Sequence, residues 1–318
     1  MSLRTCCLAA LLMSMAVVAR PEADDLIQYP LPTANSGPNG ITAGPDGALW
    51  FTESFASRIG RISTEGVVTE YPTPTPFSNP CGISAGPDGA VWFTESSVFF
   101  SKIGRSTTAG VITEYPLPSP GNVYNSLPQA ITPGPDGALW FTADSYVGRI
   151  TTAGAITEYP LPVMDSSPGG IAVGPDGALW FTAGAAIGRI TTSGVLTSYP
   201  LPVRSARSPG GITPGPDGAL WFADDRYVGR ITVAGTITLY PVPSGGASWI
   251  AAGPGGGLWF TGGSDDILGH ISLDGTIIRY SLAGRNNFPQ GITPGPDGSL
   301  WFTEQLSNTI GRFRPRPE

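Results

Sequence analysis

The stretch Gly44-Pro-Asp-Gly-Ala-Leu-Trp-Phe51 occurs seven times, with small changes, in this chain of 318 residues. Its seven tryptophans are Trp50, Trp92, Trp140, Trp180, Trp221, Trp259 and Trp301. Subtracting neighbouring numbers gives spacings of 42, 48, 40, 41, 38 and 42 residues. A period near 40 built from short apolar segments is typical of a β-propeller or a solenoid. The repeat therefore decides the architecture before any other feature is considered.

Each repeat predicts four short β-strands. The segments Pro-x-Gly-Ile-Thr, Ala-Leu-Trp-Phe-Thr, Ile-Gly-Arg-Ile-Thr and Ile-Thr-Glu-Tyr-Pro are rich in β-branched and aromatic residues, and Gly, Pro and Asp separate them. The consecutive apolar residues Leu49, Trp50 and Phe51 indicate a strand that is covered on both faces. The Gly-Pro-Asp-Gly segment suits a tight turn, because proline presets φ and Asp and Gly tolerate the remaining angles.

The two ends of the chain predict a closed ring. Leu26-Ile-Gln-Tyr-Pro-Leu-Pro32 resembles a fourth strand with no first three before it, and Thr309-Ile-Gly-Arg-Phe313 resembles a third strand with no fourth after it. Together they would complete one blade and leave no exposed sheet edge, whereas a solenoid would need capping repeats. The sequence predicts an all-β fold: a seven-bladed β-propeller with four-stranded blades, in which the N-terminal strand completes the last blade.

The first 19 residues are typical of a secretory signal peptide. Arg4 supplies the positive charge, Cys6 to Val18 form an apolar run, and small residues precede the expected cleavage after Ala19. That run is too short for a comfortable membrane span. We expect a signal peptide at 1–19, a short linker at 20–25, the propeller at 26–314 and a C-terminal tail at 315–318. The mature protein would be secreted or periplasmic.

Composition narrows the range of partners. The net charge of −7 and the isoelectric point near 4.7 argue against nucleic acid, which would require a basic surface. No segment after the leader is apolar enough for membrane insertion, and a monomer is expected. Once the leader is removed, Cys81 is the only cysteine, which rules out an internal disulfide.

The repeats also act as an internal control, because a residue present in every copy is expected to be scaffold. Repeat six alone has Gly255 in place of the turn aspartate and His270 in place of the Ile-Gly-Arg arginine. Losing both together predicts an Asp–Arg pair within each regular blade. The only histidine of the chain therefore lies at a scaffold position, which argues against a general-base role.

Alternate turns of a propeller lie on opposite faces, and here one face varies far more than the other. The connections after Trp-Phe-Thr and the stretches before Pro-x-Gly-Ile differ from repeat to repeat, and we call their side the variable face. The Gly-Pro-Asp-Gly turns lie on the opposite, constant face. Binding residues commonly lie on loops of a rigid scaffold, so the variable face is the candidate binding face.

Carboxylates and aromatic rings are frequent on the variable face. Several acids together could hold a divalent cation through oxygen ligands, although a solvated acidic rim is the favoured interpretation. The acids are Glu53, Glu95, Asp144, Asp224, Asp225, Asp265, Asp266 and Glu304. The aromatic residues, which would offer a stacking surface, are Phe99, Phe100, Tyr124, Tyr146, Tyr227, Trp249 and Phe288.

The position x of Pro-x-Gly-Ile opens the innermost strand and varies most. We assign to it Asn39, Cys81, Gln129, Gly169, Gly210, Trp249 and Gln290. Such variety is hard to explain by scaffold needs, and these residues would ring the central channel. The predicted binding residues are Asn39, Cys81, Gln129, Trp249, Phe288 and Gln290.

The repeat motifs over residues 26–314 resemble those of the virginiamycin B lyase (streptogramin B lyase) family. The resemblance implies a seven-bladed propeller that linearises cyclic streptogramin B depsipeptides by elimination, with Mg²⁺ at a central mouth. Of the family's site residues only an acid is matched, by Glu304, which the resemblance makes the candidate catalytic and metal-binding residue. The family's two histidines, second acid and tyrosine correspond in this alignment to Trp249, Gln290, Phe288 and Asn39.

Two functions are the main candidates, and a structural or adhesive module that docks through the uniform turns of one face is a third. The first is an exported binding protein for a small molecule, peptide or glycan at the central mouth. The second is a divergent, Mg²⁺-dependent carbon–oxygen lyase of the virginiamycin B lyase type. Elimination requires a base to take a proton, and neither tryptophan nor glutamine can serve, so the binding protein is the preferred prediction.

Overall fold

The computed structural model describes residues 17–20, 25–98, 100–118, 127–162, 168–203, 210–242, 245–282, 284 and 287–315. Within these ranges the chain forms seven antiparallel sheets of four strands around a central axis, and one sheet carries an additional edge strand. This arrangement confirms the seven-bladed β-propeller. The described part of the chain contains no helix of the length and apolarity needed to cross a membrane.

The strands follow the repeat, from the axis outwards in each blade. Two strands precede blade one: β1 (Val17–Arg20) and β2 (Leu26–Pro30). Blade one has β3 (Pro38–Ala43), β4 (Leu49–Glu53), β5 (Arg58–Ile62) and β6 (Val68–Pro72). Blade two has β7 (Pro80–Ala85), β8 (Val91–Glu95), β9 (Lys102–Ser106) and β10 (Ile112–Pro116). Blade three has β11 (Pro128–Pro133), β12 (Leu139–Ala143), β13 (Tyr146–Ile150) and β14 (Ile156–Pro160).

The other blades repeat this order. Blade four has β15 (Pro168–Val173), β16 (Leu179–Ala183), β17 (Ala186–Ile190) and β18 (Leu196–Pro200). Blade five has β19 (Ile212–Pro214), β20 (Leu220–Ala223), β21 (Tyr227–Ile231) and β22 (Ile237–Pro241). Blade six has β23 (Trp249–Ala252), β24 (Leu258–Gly262), β25 (Ile267–Ile271) and β26 (Ile277–Ser281). Blade seven has β27 (Pro289–Pro294), β28 (Leu300–Glu304) and β29 (Thr309–Phe313), and β2 is its outer strand.

The ring closes through the two ends of the chain, as the sequence predicts. Strand β2 pairs antiparallel with β29, so that Leu26 lies opposite Phe313 and Pro30 opposite Thr309. Strand β1 runs parallel to β26 at the outer edge of blade six. Three of its four residues belong to the predicted signal peptide, and cleavage after Ala19 would remove them from this edge.

A network of four side chains repeats in six of the seven blades. In blade one, Trp50 Nε1 donates to Asp46 Oδ1 at 3.0 Å, and Arg61 Nε donates to Asp46 Oδ2 at 2.6 Å. The Tyr71 ring stacks on Trp50, with centroids 5.7 Å apart. The other Asp–Arg pairs are Asp88–Arg105, Asp136–Arg149, Asp176–Arg189, Asp217–Arg230 and Asp297–Arg312. The predicted Asp–Arg pair is therefore confirmed.

Blade six shows what replaces this network when the aspartate is lost. Trp259 Nε1 donates instead to the carbonyl oxygen of Pro254, at 2.9 Å. The His270 ring lies 4.7 Å from the Trp259 ring, tilted by 39°, and Tyr280 is tilted rather than stacked. The histidine thus occupies the scaffold position that the repeat predicts, on the third strand of the blade and opposite Trp259.

The glycine of Ile-Gly-Arg is required by packing. A Cβ added to Gly60 would lie 2.0 Å from the ring of Phe51 on the neighbouring strand, which no side chain tolerates. The same contact recurs in the other six blades. The seven tryptophans and their phenylalanines are almost fully buried and fill the space between blades.

The Asp–Trp–Arg network predicts a stability effect. Asp136→Ala leaves the buried Trp140 Nε1–H without its acceptor, so the free energy of unfolding should fall by about 1–3 kcal/mol. Burial opposes ionisation of Asp136, but hydrogen bonds from Trp140 and Arg149 outweigh it and lower the pKa. The loss of unfolding free energy in Asp136→Ala should be complete above pH 3.8, the ordinary pKa of an aspartate. The loss should shrink as the pH falls through the lower pKa that Asp136 has in the folded protein.

Urea unfolding at neutral and acid pH checks this. Glu65→Ala, at an exposed turn of the same face, is the matched control and should change the free energy of unfolding by about 0.5 kcal/mol or less. Equal stability of the two variants would show that the aspartate does not stabilise its blade.

Candidate functional site

A β-bulge presents position x at the mouth of the ring. In blade one, Pro38 lies opposite Glu53 and Ile41 opposite Phe51, so Asn39 and Gly40 together face a single residue of β4. Blades two, three, four and seven have the same shift of register. A bulge bends its strand and redirects side chains. The variable residue x is therefore placed by a repeated backbone feature.

A threonine hydroxyl links the inner strand of one blade to the next in six blades, and in blades one, two and three it also binds the bulge. Thr52 Oγ1 accepts from the Gly40 backbone N–H at 2.9 Å and donates to the Cys81 carbonyl oxygen at 2.7 Å. The equivalent donors to the carbonyl of the next residue x are Thr94, Thr142, Thr182, Thr261 and Thr303. Blade five has Ala223 here. The mouth residues therefore sit on a rigid backbone ring.

The assignment of Trp249 to position x was wrong, as the pairing of the inner strand in blade six shows. Its inner strand has no bulge, because Trp249 lies opposite Thr261 and Ile250 opposite Phe260. The Trp249 N–H donates to Thr261 Oγ1 at 3.2 Å, the bond that the glycine makes in blade one. Ser248 takes position x, and its carbonyl oxygen accepts from the Gly211 N–H at 3.0 Å. Counting back from Gly253 instead of forward from a proline would have found Ser248.

Trp249 instead forms the floor of the mouth. It packs against the buried cluster of blades three and four, which contains Ala130 and Ile171, and also against the cluster of blades six and seven. An indole that contacts blades on both sides must cross the axis. A Cβ on Gly211 would lie 2.9 Å from it, so small neighbours make room. A channel of about 490 Å³ lies along the inner strands, and Trp249 is part of its wall.

Three of the predicted binding residues form a connected polar arc. Asn39 Nδ2 donates to Cys81 Sγ at 3.5 Å and to Ser54 Oγ at 3.4 Å, and Cys81 Sγ donates to Gln129 Oε1 at 3.8 Å. Burial raises the pKa of the Cys81 thiol to about 11, against the opposing bond from Asn39. The arc is therefore neutral at physiological pH.

Gln290 and Ser248 both lie near Gly263, in a part of the mouth outside the polar arc of Asn39, Cys81 and Gln129. A Cβ added to Gly263 would be 3.0 Å from Ser248 Oγ and 3.7 Å from Gln290 Nε2. Phe288, two residues earlier, has a φ of +51° and is half-buried. Its N–H donates to Asp266 Oδ1 at 2.9 Å. The structure thus places Phe288 in the connection between blades six and seven, next to the mouth.

The acids after Trp-Phe do not form a solvated rim, so that expectation was wrong. None of the eight is exposed. Glu53, Glu95 and Glu304 are the last residues of their second strands, where the outer strands of the blade cover them, as Gln28 and Thr309 cover Glu304. Glu53, Glu95, Glu304 and Asp224 are fully or almost fully buried.

Glu304 is held at the closure of the ring. Gln28 Nε2 donates to both carboxylate oxygens, at 2.9 and 2.8 Å, and Thr309 Oγ1 donates to Oε2 at 2.5 Å. Burial raises its pKa although both partners oppose the rise. A buried carboxylate with both oxygens hydrogen-bonded does not fit the role of metal ligand. Over the described ranges, no three His, Cys, Asp or Glu side chains cluster so that they could hold a metal ion.

Glu53 and Glu95 are buried without such partners. The described residues supply no well-formed hydrogen bond to any of their four carboxyl oxygens. Burial raises the pKa of Glu53 to about 7; the Ser36 hydroxyl opposes this rise and Glu70 adds to it. Burial likewise raises the pKa of Glu95 to about 7, and Glu114 adds to the rise. The outer acids instead accept hydrogen bonds from loop residues: the Thr33 N–H donates to Glu70 and the Thr75 hydroxyl donates to Glu114.

Apolar side chains are exposed on the variable face of three consecutive blades, seven, one and two. The apolar rim patch consists of Phe55, Phe77, Val98, Phe100 and Leu306, and Phe77 is 86% exposed. An exposed group of this kind often marks a binding surface. Of the aromatic residues expected here, Tyr146 is buried and Tyr227 packs against the core. Phe99 and Tyr124 lie outside the described residues.

The raised pKa values predict how stability depends on pH. An acid whose folded pKa exceeds its unfolded value of 4.5 binds more protons when folded, so stability should fall as the pH rises from about 4.5 to about 7. The double variant Glu53→Gln, Glu95→Gln removes both titrations. The drop in unfolding free energy between pH 5 and pH 8 should shrink by about 1–3 kcal/mol.

Urea unfolding at the two pH values measures the drop. The exposed control Glu65→Gln should retain the wild-type profile. A double variant that also retains it would contradict the burial of two protonated carboxyl groups.

Comparison with known proteins agrees with this geometry. The sequence model of the Virginiamycin B lyase family matches residues 12–208 and 183–318. A solved streptogramin B lyase structure is 41% identical, covering 91% of this chain and 97% of that one, with a TM-score of 0.84. A catalytically inactive histidine-to-alanine variant of virginiamycin B lyase from Staphylococcus aureus, with quinupristin, is 38% identical over 92% and 99% of the two chains, also with a TM-score of 0.84.

A shorter sequence match is to a protein of the same family. Virginiamycin B lyase from Saccharopolyspora erythraea is 42% identical over 52 residues, which are 16% of this chain and 17% of that protein. The family match spans nearly the whole propeller, and the structures agree over more than nine-tenths of the chain. The chain belongs to the virginiamycin B lyase family.

Proposed function

We propose that this protein is an exported binding protein whose ligand, a peptide-like small molecule, a peptide or a glycan, docks at the mouth of the variable face. The proposal rests on the chemical nature of the side chains at that mouth, which are neutral, polar and aromatic. Neutral amide, hydroxyl and thiol groups surround an indole floor, and the exposed residues of the apolar rim patch lie on the same face of the ring. Export rests on the apolar leader of residues 1–19, and the protein would act as a monomer in the periplasm or outside the cell.

Among the described residues at position x, none has a side chain that could act as a base near neutral pH. Elimination requires removal of a proton next to a carbonyl, which contributes to catalysis only when a suitable base is in reach. The family resemblance implies histidines at position x of the last two blades, where this chain has Ser248 and Gln290. Neither side chain takes up a proton near neutral pH, and the Cys81 thiol is protonated there.

The same groups suit recognition of amides or hydroxyl groups. An amide side chain both donates and accepts hydrogen bonds, so Asn39, Gln129 and Gln290 could pair with a peptide backbone or a sugar. Apolar side chains of a ligand could pack on Trp249 and on the apolar rim patch, since apolar and aromatic walls with a few placed polar groups are typical of ligand sites. A cyclic depsipeptide offers both kinds of group, and a relative's structure contains quinupristin.

The alternative is a divergent Mg²⁺-dependent lyase that opens a cyclic depsipeptide ester. Glu304, which matches the family's acid, is the observation in its favour. Its burial and its bonds to Gln28 and Thr309 instead favour a role in closing the ring. Bound Mg²⁺ would supply electrophilic stabilisation of the ester carbonyl. We expect no heat of Mg²⁺ binding in calorimetry of the free protein.

Calorimetry with quinupristin tests the binding function. Saturable binding is expected for the wild type. Asn39→Ala and Gln290→Ala should each weaken it about tenfold, because a lost hydrogen bond costs about 1–1.5 kcal/mol. Glu65→Ala, on the constant face, is the control and should bind as the wild type does. If none of the mouth variants changes the affinity, the site is elsewhere.

Mass spectrometry of the same mixtures with Mg²⁺ separates the two functions. A binding protein leaves quinupristin cyclic. Ring opening by elimination gives a linear product of unchanged mass, whereas hydrolysis adds one water. A linear product of unchanged mass that forms with the wild type but not with Glu304→Gln, at equal thermal stability, would establish the lyase instead.

A further inference from the structure

A second pocket lies in blade four, away from the mouth. It has a volume of about 300 Å³ and lies between the outer strands of this blade and the connection from blade three. Its wall is made by Leu161, Pro162, Phe181, Ala183, Ala186, Gly188, Leu196, Thr197 and Ser198. We call it the blade-four pocket.

The other blades show why the pocket exists, because they fill the same space. Three positions border it: the end of the second strand, the start of the third and the middle of the fourth. Blade one has Glu53, Arg58 and Glu70 there, and blade two has Glu95, Lys102 and Glu114. Blade four alone has three small residues, namely Ala183, Ala186 and Ser198.

Blades three and six also have a small residue at the first position, Ala143 and Gly262, and both compensate at the second position. In blade three, Tyr146 is 4% exposed and packs edge-on against Phe141, with ring centroids 6.1 Å apart. In blade six, Ile267 is 3% exposed, and a Cβ added to Gly262 would lie 2.5 Å from its side chain. Blade five has the buried Asp224 at the first position and Leu239, 6% exposed, at the third. Blade four makes no such compensation, and Ala183 is the only one of the seven equivalent residues that is not buried. Larger or buried side chains occupy this space in the other six blades, and only blade four leaves it open.

The wall of the pocket limits what can bind. Leu161, Phe181, Leu196 and the two alanines are apolar, and the side-chain hydroxyls of Thr197 and Ser198 lie at the exposed strand β18. Apolar cavities of about 150 Å³ already bind benzene or xenon rather than water. The volume here is about twice that and lies at the lower end of the range of ligand pockets.

We infer that the blade-four pocket binds a small apolar molecule, a single aromatic ring or a branched alkyl group, with at most one polar group directed towards Ser198. This site is independent of the mouth and of the ligand proposed there. Charged ligands are excluded, because the wall offers no ion partner to offset the loss of hydration.

Titration with p-cresol, followed by NMR of the full chain, tests the inference. The wild type should show saturable binding with a Kd on the order of 1 mM, as expected for a ligand of this size. Ala186→Tyr introduces the residue that blades three and five carry at this position. Its ring should pack on Phe181 as Tyr146 packs on Phe141, and the affinity should fall at least tenfold.

Two further variants complete the test. Ser198→Leu, which copies Leu239 of blade five, fills the pocket from another strand and should also abolish binding. Ala185→Arg copies Arg226 of blade five at the neighbouring position, outside the wall, and should leave the Kd within about twofold. Absence of saturable binding by the wild type, or unchanged binding by both pocket-filling variants, would overturn the inference. Neither result bears on quinupristin binding at the mouth.

Discussion

The tryptophan of each repeat has a polar N–H that must be satisfied inside a packed interface, and the turn aspartate satisfies it. One carboxylate oxygen accepts from the indole while the other binds the arginine of the next strand, and the tyrosine of the fourth strand covers the indole. These four side chains come from the turn and from three strands, so one set of contacts holds a whole blade together. Buried donors that lose their acceptor are costly, and blade six accordingly supplies the Pro254 carbonyl in place of the missing aspartate.

Because these contacts hold the scaffold, the residue at position x of each inner strand can change with little loss of stability. In six blades the threonine after Trp-Phe binds the backbone carbonyl of the next residue x, so these contacts hold the backbone at the mouth whichever side chain stands there. Function can therefore diverge within the family without disturbing the ring. The neutral mouth of this protein, with Ser248 and Gln290 at position x of the last two blades, is a divergence of this kind.

The sequence predicted the propeller, the closure of the ring and the Asp–Arg pair, because each leaves a periodic signal. It also placed Asn39, Cys81 and Gln129 at the mouth, where the structure joins them in one polar arc. It misplaced Trp249 by one residue, since blade six has neither the proline nor the glycine that mark the bulge elsewhere. It also took Glu53, Glu95 and Glu304 for rim residues, because sequence does not show which way a strand end faces.

The sequence by itself determined the architecture, since the repeat predicts stacked four-stranded units and the complementary chain ends indicate that they close into a ring. Only the tertiary structure decided how the irregular residues are used. The direction of each acid depends on the twist and packing of two neighbouring blades, and Glu304 meets Gln28 across 276 residues of chain. The blade-four pocket arises from three small residues on three strands, whose shared space exists only after the ring has formed.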